Sequence, residues 1–266
     1  MSRITDAFRG KKALIPFFTC GDPDLETTKS LVQEAAAAGA DLIELGIPFS
    51  DPTAEGPVIQ AANMRALSGG ATTDRIFTLV SELRKTVEIP LLFMTYANVI
   101  YSYGNTSKGG VEGGTEHFMK RAAAAGIDGL ILPDVPFEEK GDFEPTCKKY
   151  GLELISLIAP TSRERVGVIA GEAAGFVYCI SSLGVTGMRS EITTDVGRMI
   201  EQVRQITKVP AAVGFGISTP EQAREMAEQA DGVIVGSAVM KIVGKYGRDC
   251  VPYVTEFLGR MKAAML

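Results

Sequence analysis

Short apolar runs alternate with amphipathic helical stretches along the whole chain. Eight of these runs are too short to be buried helices, and several are rich in β-branched or aromatic residues, so they are predicted to be strands. The predicted strands are residues 13–19, 41–46, 90–95, 129–135, 152–158, 176–181, 211–217 and 231–236. The stretches between them carry apolar residues at helical spacing. Two such faces are formed by Val196, Met199, Ile200 and Val203, and by Val254, Phe257, Leu258 and Met261.

The succession of strands and helices predicts a closed parallel barrel. Residues 38–41, 125–128 and 230–232 each contain a glycine or another small residue that ends a helix ahead of the next strand. Eight such units with nearly continuous apolar strands fit the α/β class, as a (β/α)8 TIM barrel in one domain spanning residues 1–266. The alternative is a doubly wound open sheet, which the lack of a GxGxxG motif after the first predicted strand disfavours.

Residues 104–114 form a glycine-rich insertion after the third predicted strand. Five of these residues are glycine and most of the others are polar. The segment cannot bury apolar surface, so it is predicted to be a flexible loop. It follows a strand end, on the face where barrel enzymes carry their active sites.

Composition and charge exclude several classes of protein. The net charge of −5 argues against nucleic acid and against an anionic membrane as partners. Residues 1–12 are polar and charged, unlike a signal peptide. No apolar run approaches the ~20 residues of a membrane span. We therefore expect a cytoplasmic protein.

Few residues are available for metal or histidine chemistry. The four cysteines are scattered without a CxxC pair, which is typical of reduced, buried thiols rather than of a zinc site. The single histidine, His117, lies in a polar helix start and is expected at the solvated surface. A Ser-His-Asp triad would need that residue in a specific geometry. Any acid–base chemistry is therefore expected from carboxylates.

Acidic residues occur at the end of the second predicted strand and in the loop after it. Glu44 stands alone in an apolar run, where a carboxylate must be hydrogen-bonded, paired or shifted in pKa. It is either a catalytic group or a satisfied interior glutamate. The following loop adds Asp51 and Glu55. These acids could complete an acid–base pair, or they could serve only turns and solvation.

Glycines at the last two predicted strand ends indicate a phosphate site. Residues 213–218 read VGFGIS, and residues 235–238 read VGSA and open a helix. Glycine allows backbone N–H groups to approach an anion, and the dipole at a helix N-terminus favours negative charge. Barrels often bind phosphate at these two loops; the alternative is two ordinary glycine turns. The loop after the sixth strand, residues 181–191, could form a lid over a substrate.

Taken together, these segments resemble the tryptophan synthase α subunit family from the first predicted strand to the last helix. The most specific segment is residues 43–57, IELGIPFSDPTAEGP, in which two acids flank a PFSDP core. The supporting segments are PFFTCGDP at 16–23, YAN at 96–98, PDVP at 133–136, GVTG at 184–187 and GFGI at 214–217. Their occurrence in the family's order makes the resemblance specific.

The resemblance implies a role for each matching residue. Glu44 matches the catalytic glutamate, which transfers protons at the glycerol hydroxyl and at C3 of the indole. Glu55 stands where the family usually has aspartate, which accepts from the indole N–H. The residues implied to bind the substrate are Phe17 and Ile131 as walls of the indole pocket, Tyr178 beside the glutamate, Thr186 as the lid threonine that orients the loop acid, and Gly187, Gly216, Gly236 and Ser237 as the phosphate cradle.

The implied activity is that of a lyase in tryptophan biosynthesis. It would cleave indole-3-glycerol phosphate into indole and glyceraldehyde 3-phosphate by a retro-aldol reaction, with no metal or organic cofactor. The implied partner is a tryptophan synthase β subunit, in an αββα heterotetramer. The extra methylene of Glu55 and the insertion at 104–114 depart from the family pattern. The methylene affects how far the Glu55 carboxylate extends, and the insertion affects the usual docking to the β subunit.

Two other functions remain open from the residues alone. One is another barrel lyase or isomerase with a phosphorylated substrate, because phosphate loops are shared among such enzymes. The other is a barely catalytic regulatory partner that binds the substrate and activates a β subunit.

Overall fold

The computed structural model describes residues 2–104, 114–160, 163–180, 196–214 and 216–266. Within these residues, nine strands form one sheet whose paired neighbours all run parallel, in the order β5, β4, β3, β2, β1, β9, β8, β7, β6. The strands are β1 (Ala13–Thr19), β2 (Ile43–Gly46), β3 (Leu91–Met94), β4 (Gly129–Ile131), β5 (Glu153–Leu154), β6 (Ser156–Ile158), β7 (Val177–Ile180), β8 (Ala211–Gly214) and β9 (Gly232–Val235).

The two end strands of that order, β5 and β6, are halves of one barrel position. Only Ile155 separates them, and its N–H donates to the Leu130 carbonyl at 2.8 Å. β5 pairs with β4, whereas β6 pairs with β7. The prediction of one uninterrupted strand at 152–158 was therefore wrong. Neighbouring strands of a barrel are staggered, so the first half of this segment meets one neighbour and the second half meets the other. Eight strand positions result, and the predicted TIM barrel is confirmed.

Helices surround the sheet and pack on the outward-facing side chains of its strands. They are α1 (Arg3–Asp6), α2 (Leu25–Ala37), α3 (Pro57–Ser68), α4 (Thr73–Leu83), α5 (Ala97–Ser102), α6 (Thr115–Ala125), α7 (Glu144–Lys149), α8 (Arg163–Gly171), α9 (Val196–Ile206), α10 (Pro220–Gln229), α11 (Ser237–Tyr246) and α12 (Val251–Ala264), with 3-10 helices at Phe137–Asp142 and Gly247–Asp249. The predicted apolar faces of α9 and α12 are buried, except that Phe257 is half-buried. None of the described helices is long and apolar enough to cross a membrane.

Side chains alternate between the barrel interior and the helical layer, as the period of two along a strand requires. Ile15, Leu92, Ile131, Ile155, Tyr178, Ala212 and Ile234 belong to the interior cluster. Their neighbours along the strands, such as Leu14, Phe93, Leu130, Val177 and Val213, pack with the helices. Ile4 of α1 and Phe8 just after it join the interior cluster. The described part of the barrel interior is therefore a packed core.

Several predicted strands end earlier than expected, which leaves more residues for the loops. The strand predicted at 129–135 ends at Ile131, and Pro133, which has no N–H to donate, follows shortly. In the insertion at 104–114, residues 105–113 lie outside the described residues. Its ends are neighbours, because the Gly114 N–H donates to the Tyr103 carbonyl at 3.1 Å. His117, expected at the solvated surface, is half-buried, with its ring centroid 5.0 Å from that of Tyr103.

Candidate active site

A cavity lies where the carboxyl ends of several strands meet. The residues that line it are Phe17, Glu44, Glu55, Ile59, Met94, Tyr178, Gly216, Ile217, Ile234, Gly236 and Ser237. Glu44, Glu55 and three of the predicted phosphate-binding residues therefore share one cavity, whereas Asp51 is exposed and does not line it.

Glu44 is placed by β2 at the centre of this arrangement. It pairs in register with Phe17 of β1 and with Leu92 of β3, and its side chain is only 1% exposed. Among the described residues, no group hydrogen-bonds its buried Oε1 atom. Burial raises the pKa of Glu44 to about 8, because a charged carboxylate there would lose its water without gaining a partner. The group is therefore mostly protonated at neutral pH.

Glu55 reaches the same cavity from the loop between β2 and α3. Its side chain is 8% exposed, and the Asn63 amide donates to its Oε2 at 2.6 Å. Burial raises the pKa of Glu55 to about 7, while hydrogen bonds from Asn63 and from the Tyr96 hydroxyl act in the opposite direction. The hydrogen bonds favour the charged form, so Glu55 loses its proton at a lower pH than Glu44 does. The cavity thus holds one protonated acid and one acid that ionises near neutral pH.

The aromatic side chain of Tyr178 lies near Glu44, although its strand, β7, is on the opposite side of the barrel from β2. Tyr178 is buried on β7, and burial together with the charge of Glu44 raises the pKa of its hydroxyl well above the usual value. Gly214 of the neighbouring β8 leaves room for this ring, since a Cβ there would lie 2.5 Å from the Tyr178 hydroxyl oxygen. Phe17 also forms part of the wall, so the polar groups of the cavity are its two acids, the Tyr178 hydroxyl and the residues of its glycine-lined end.

The glycine-lined end of the cavity combines a positive-φ glycine with a helix N-terminus, two features that can serve an anion. Gly216 has a φ of 90°, a conformation that favours glycine. Gly236 is the N-cap residue of α11 and provides no side chain to cap it, and Ser237 is the first helical residue. The first N–H groups of a helix point outward unpaired, so this end can donate to phosphate oxygens. A hydroxyl from Ser237 is available for the same ligand.

One residue predicted for the site, Ile131, is not part of this cavity, and two others cannot be compared with it. Ile131 is fully buried in the barrel interior, in the cluster that also contains Tyr178, and does not line the cavity. The implied lid threonine, Thr186, and the implied phosphate-binding Gly187 lie outside the described residues. Their roles stay predictions.

Sequence reasoning missed several residues of the site. Met94, Ile59, Ile217 and Ile234 complete the apolar wall. Met94 ends β3, so its position at a strand end was a usable signal. Asn63 also left a signal, because it is a polar residue on the buried face of α3, four residues after Ile59.

A larger cavity lies beside β4, β6 and α8, but its charged groups already have partners. Lys140 pairs with Glu172 at 2.8 Å, and Arg165 pairs with Glu138 at 2.9 Å. Asp134 accepts from the Ala97 N–H at 3.0 Å. Groups that are already paired are less available for catalysis, so the smaller cavity is the better candidate. Within the described parts of the chain, no cluster of His, Cys, Asp and Glu could hold a metal ion.

Comparison with known proteins agrees with this site. A family model described as "Tryptophan synthase alpha chain" matches residues 5–265. The chain is 46% identical to the tryptophan synthase alpha chain of Thermoanaerobacter pseudethanolicus, over all of both chains. It is 48% identical to that of Halalkalibacterium halodurans, over 92% of this chain and 89% of the relative.

Solved structures give the same result. The tryptophan synthase subunit alpha of Legionella pneumophila superposes with a TM-score of 0.87 at 38% identity, covering 100% of this chain and 98% of that one. A chain of the tryptophan synthase a2b2 complex of Pyrococcus furiosus superposes with a TM-score of 0.83 at 35% identity, covering 94% of this chain and 98% of that one. Both the sequence match and the structural match extend over nearly the whole chain. The chain therefore belongs to the tryptophan synthase alpha chain family.

Proposed function

We propose that this chain cleaves indole-3-glycerol phosphate into indole and glyceraldehyde 3-phosphate, with Glu44 and Glu55 as its acid–base pair. The observation that carries the proposal is the placement of Glu44. It is buried, its Oε1 has no hydrogen-bond partner among the described residues, and it lines a cavity together with Glu55, Gly216, Gly236 and Ser237. Family membership points to indole-3-glycerol phosphate as the substrate, with its indole near the two acids and its phosphate near the glycine-lined end.

Glu44 would donate one proton and accept another in each turnover. In its protonated form it gives a proton to C3 of the indole ring, and the ring becomes a cation. The resulting carboxylate then takes the proton of the adjacent glycerol hydroxyl while the carbon–carbon bond breaks. The bonding electron pair returns to the ring, which leaves as indole, and the hydroxyl carbon becomes the aldehyde of glyceraldehyde 3-phosphate. A single carboxyl group thus performs both transfers, and it ends the cycle protonated as it began.

Glu55 and the two ends of the cavity would stabilise this sequence. The Glu55 carboxylate accepts from the indole N–H, which becomes more acidic as the ring gains positive charge. Phe17 packs on the indole, and the N–H groups at Gly216, Gly236 and Ser237 hold the phosphate. Positioning of this kind is what keeps the reacting atoms at the distance that proton transfer needs.

The proposal extends to the assembly in which the chain works. The Pyrococcus furiosus relative is part of an a2b2 complex. We propose the same αββα heterotetramer here, with a tryptophan synthase β subunit as partner. The proposed working unit is the whole chain as one domain, with an insertion at residues 104–114, and the proposed compartment is the cytoplasm.

Indole release tests the proposed function directly. The purified chain would be incubated with indole-3-glycerol phosphate, with and without a β subunit, and indole would be quantified. Release by the isolated chain supports the lyase. Substrate binding without release, in both conditions, would instead favour the regulatory role.

The pH profile of kcat/KM is expected to be bell-shaped. The mechanism needs Glu55 ionised and Glu44 protonated. The acidic limb should therefore lie near the Glu55 pKa of about 7, and the alkaline limb near the Glu44 pKa of about 8. Initial rates across this range measure both limbs. A rate that keeps rising well above pH 8 would show that Glu44 is not needed in its protonated form.

Gly236→Val is expected to weaken binding of the substrate and of glyceraldehyde 3-phosphate alike. A Cβ at Gly236 meets only ordinary contacts, the nearest 3.5 Å away at Phe17, so the fold should tolerate it. The added methyls would crowd the phosphate and raise both dissociation constants by about tenfold or more, with little change in chemistry. Gly259→Val is the matched control, because a Cβ there meets nothing within 4 Å. Unchanged affinity for glyceraldehyde 3-phosphate would remove Gly236 from the phosphate site.

A further inference from the structure

We propose that Asn63 is a positioning residue, whose side-chain amide holds the Glu55 carboxylate against the wall of the cavity. The inference rests on the proposed catalytic role of Glu55. Asn63 does not line the cavity. It acts on the substrate only through Glu55, and its contribution is to fix where that carboxylate stands.

The first observation is the contact itself. Asn63 is 3% exposed, and its Nδ2 lies 2.6 Å from Oε2 of Glu55. A buried amide that donates to a carboxylate makes a charge-assisted hydrogen bond, which is stronger than a bond between neutral groups. The Tyr96 hydroxyl is close enough to the Glu55 carboxyl to lower its pKa, and it accepts from the Ala54 N–H at 3.2 Å. The carboxylate is thus held directly from α3, with the Tyr96 hydroxyl of the β3–α5 connection close by.

The second observation concerns the helix that carries Asn63. Arg65, two residues further along α3, forms two hydrogen bonds to Asp22 just after β1, at 2.8 and 2.7 Å. The Asp22 side chain is fully buried. A bidentate pair of this kind fixes orientation as well as distance. Helix α3 is therefore fixed to the barrel wall close to Asn63, so the Asn63 amide is held at a defined position relative to the strand ends.

The third observation is that α3 also contacts the backbone of Glu55. The Gln60 Nε2 donates to the backbone carbonyl of Glu55 at 2.7 Å. Gln60 and Asn63 therefore both support the end of the loop, but of these two only Asn63 reaches the carboxylate. This difference provides a matched pair for mutation within one helix.

Asn63→Leu should release the carboxylate while filling nearly the same space. The Asn63 hydrogen bond lowers the Glu55 pKa, so its loss should move the titration of Glu55 to higher pH. Carbon-13 NMR of the Glu55 carboxyl measures that titration without substrate. The acidic limb of the kcat/KM profile should move in the same direction. We expect kcat to fall by about ten- to a hundredfold with KM nearly unchanged, because the reacting groups are misplaced while the phosphate is still held.

Gln60→Met is the control for loss of support to the loop. It removes the bond to the Glu55 carbonyl and keeps the side-chain length. It should leave the Glu55 carboxyl titration at its parental pH. A shift as large as that of Asn63→Leu would mean that any loosening of the loop has the same effect, and the proposal would be wrong.

A double-mutant cycle tests the contact even if Asn63→Leu folds poorly. Glu55→Asp draws the carboxylate away from Asn63 by one methylene, and Asn63→Gln extends the amide by one methylene. If the amide acts through the carboxylate, the double variant should be several-fold more active than the product of the two single effects predicts. Strictly multiplicative effects, or a Glu55 titration unmoved in Asn63→Leu, would overturn the proposal. A parent protein that releases no indole would overturn the proposed function instead, and the NMR titration would still test the contact.

Discussion

Glu44→Gln is expected to lower kcat by about 100- to 10,000-fold, the range that general acid–base catalysis typically contributes. Glutamine has nearly the shape of the protonated glutamate that burial maintains at this position, so the cavity should keep its form and its affinity for the substrate. The amide cannot give a proton to C3 of the indole or accept one from the glycerol hydroxyl. The loss should therefore appear in kcat, with KM close to that of the parent.

Glu153→Gln is the matched control for this substitution. Glu153 is also a strand glutamate, but it begins β5, at the opposite end of the barrel, where Ser2 donates to it at 3.1 Å. Its substitution should leave kcat within a few-fold of the parent. If Glu44→Gln also stays within a few-fold, Glu44 is not the acid–base group.

Stability against pH gives an independent check on the environment of Glu44. Its pKa in the folded protein is about 8, above the ordinary value of 4.5. Between these values the unfolded chain releases the proton while the folded chain keeps it, so stability contributed by this group falls as pH rises and levels off above about 8. A glutamine side chain cannot ionise at this position. The Glu44→Gln variant should therefore gain stability over the parent as pH rises through this window, which denaturant unfolding at both ends of the window measures.

Three substitutions at Glu55 are expected to distinguish how much activity depends on the presence, the charge and the length of its side chain. Glu55→Ala removes the carboxylate that the cavity presents to an indole N–H, and we expect a loss of about 100-fold or more, similar to the loss of one stabilising group in other enzymes. Glu55→Gln keeps the reach but not the charge, and it should lose nearly as much. Glu55→Asp keeps the charge and shortens the reach, so it should retain part of the activity.

The order of these three variants is the informative result. Aspartate is expected to be the most active, followed by glutamine and then alanine, in steady-state assays of indole release. An active Glu55→Ala variant would mean that another group serves the indole nitrogen. An aspartate variant more active than the parent would show that the extra methylene of Glu55 lowers activity and that the loop conformation does not compensate for it.

Much of the architecture could be predicted from local patterns. The apolar runs predicted all eight strand positions, and helical spacing predicted the buried faces of α9 and α12, because the period of a side-chain pattern is a local property. The charge of Glu44 in an apolar run was enough to single it out, since a lone buried carboxylate is costly wherever the strand lies. The role of the acids came from the resemblance of residues 43–57 to a known family.

Local patterns failed where the neighbour across the sheet decides the outcome. The division of 152–158 at Ile155 depends on which strands flank that segment and on their stagger. Ile131 alternates into the barrel interior as its strand requires, but its depth below the cavity depends on how the interior packs. The sequence neighbours of Ile155 and Ile131 do not determine either outcome.

The sequence by itself determined the repeating strand–helix units, the acidic candidates and the glycine-rich strand ends of this protein. Only the tertiary structure decided that these parts meet in one cavity, that the Oε1 atom of Glu44 stays unpartnered there among the described residues, and that Asn63 reaches Glu55. It also decided that Arg65 of α3 binds Asp22, which lies 43 residues earlier. Secondary structure follows from interactions between residues close in sequence. Burial, desolvation and the pairing of charges follow from closure of the barrel, which brings distant strand ends within hydrogen-bonding distance.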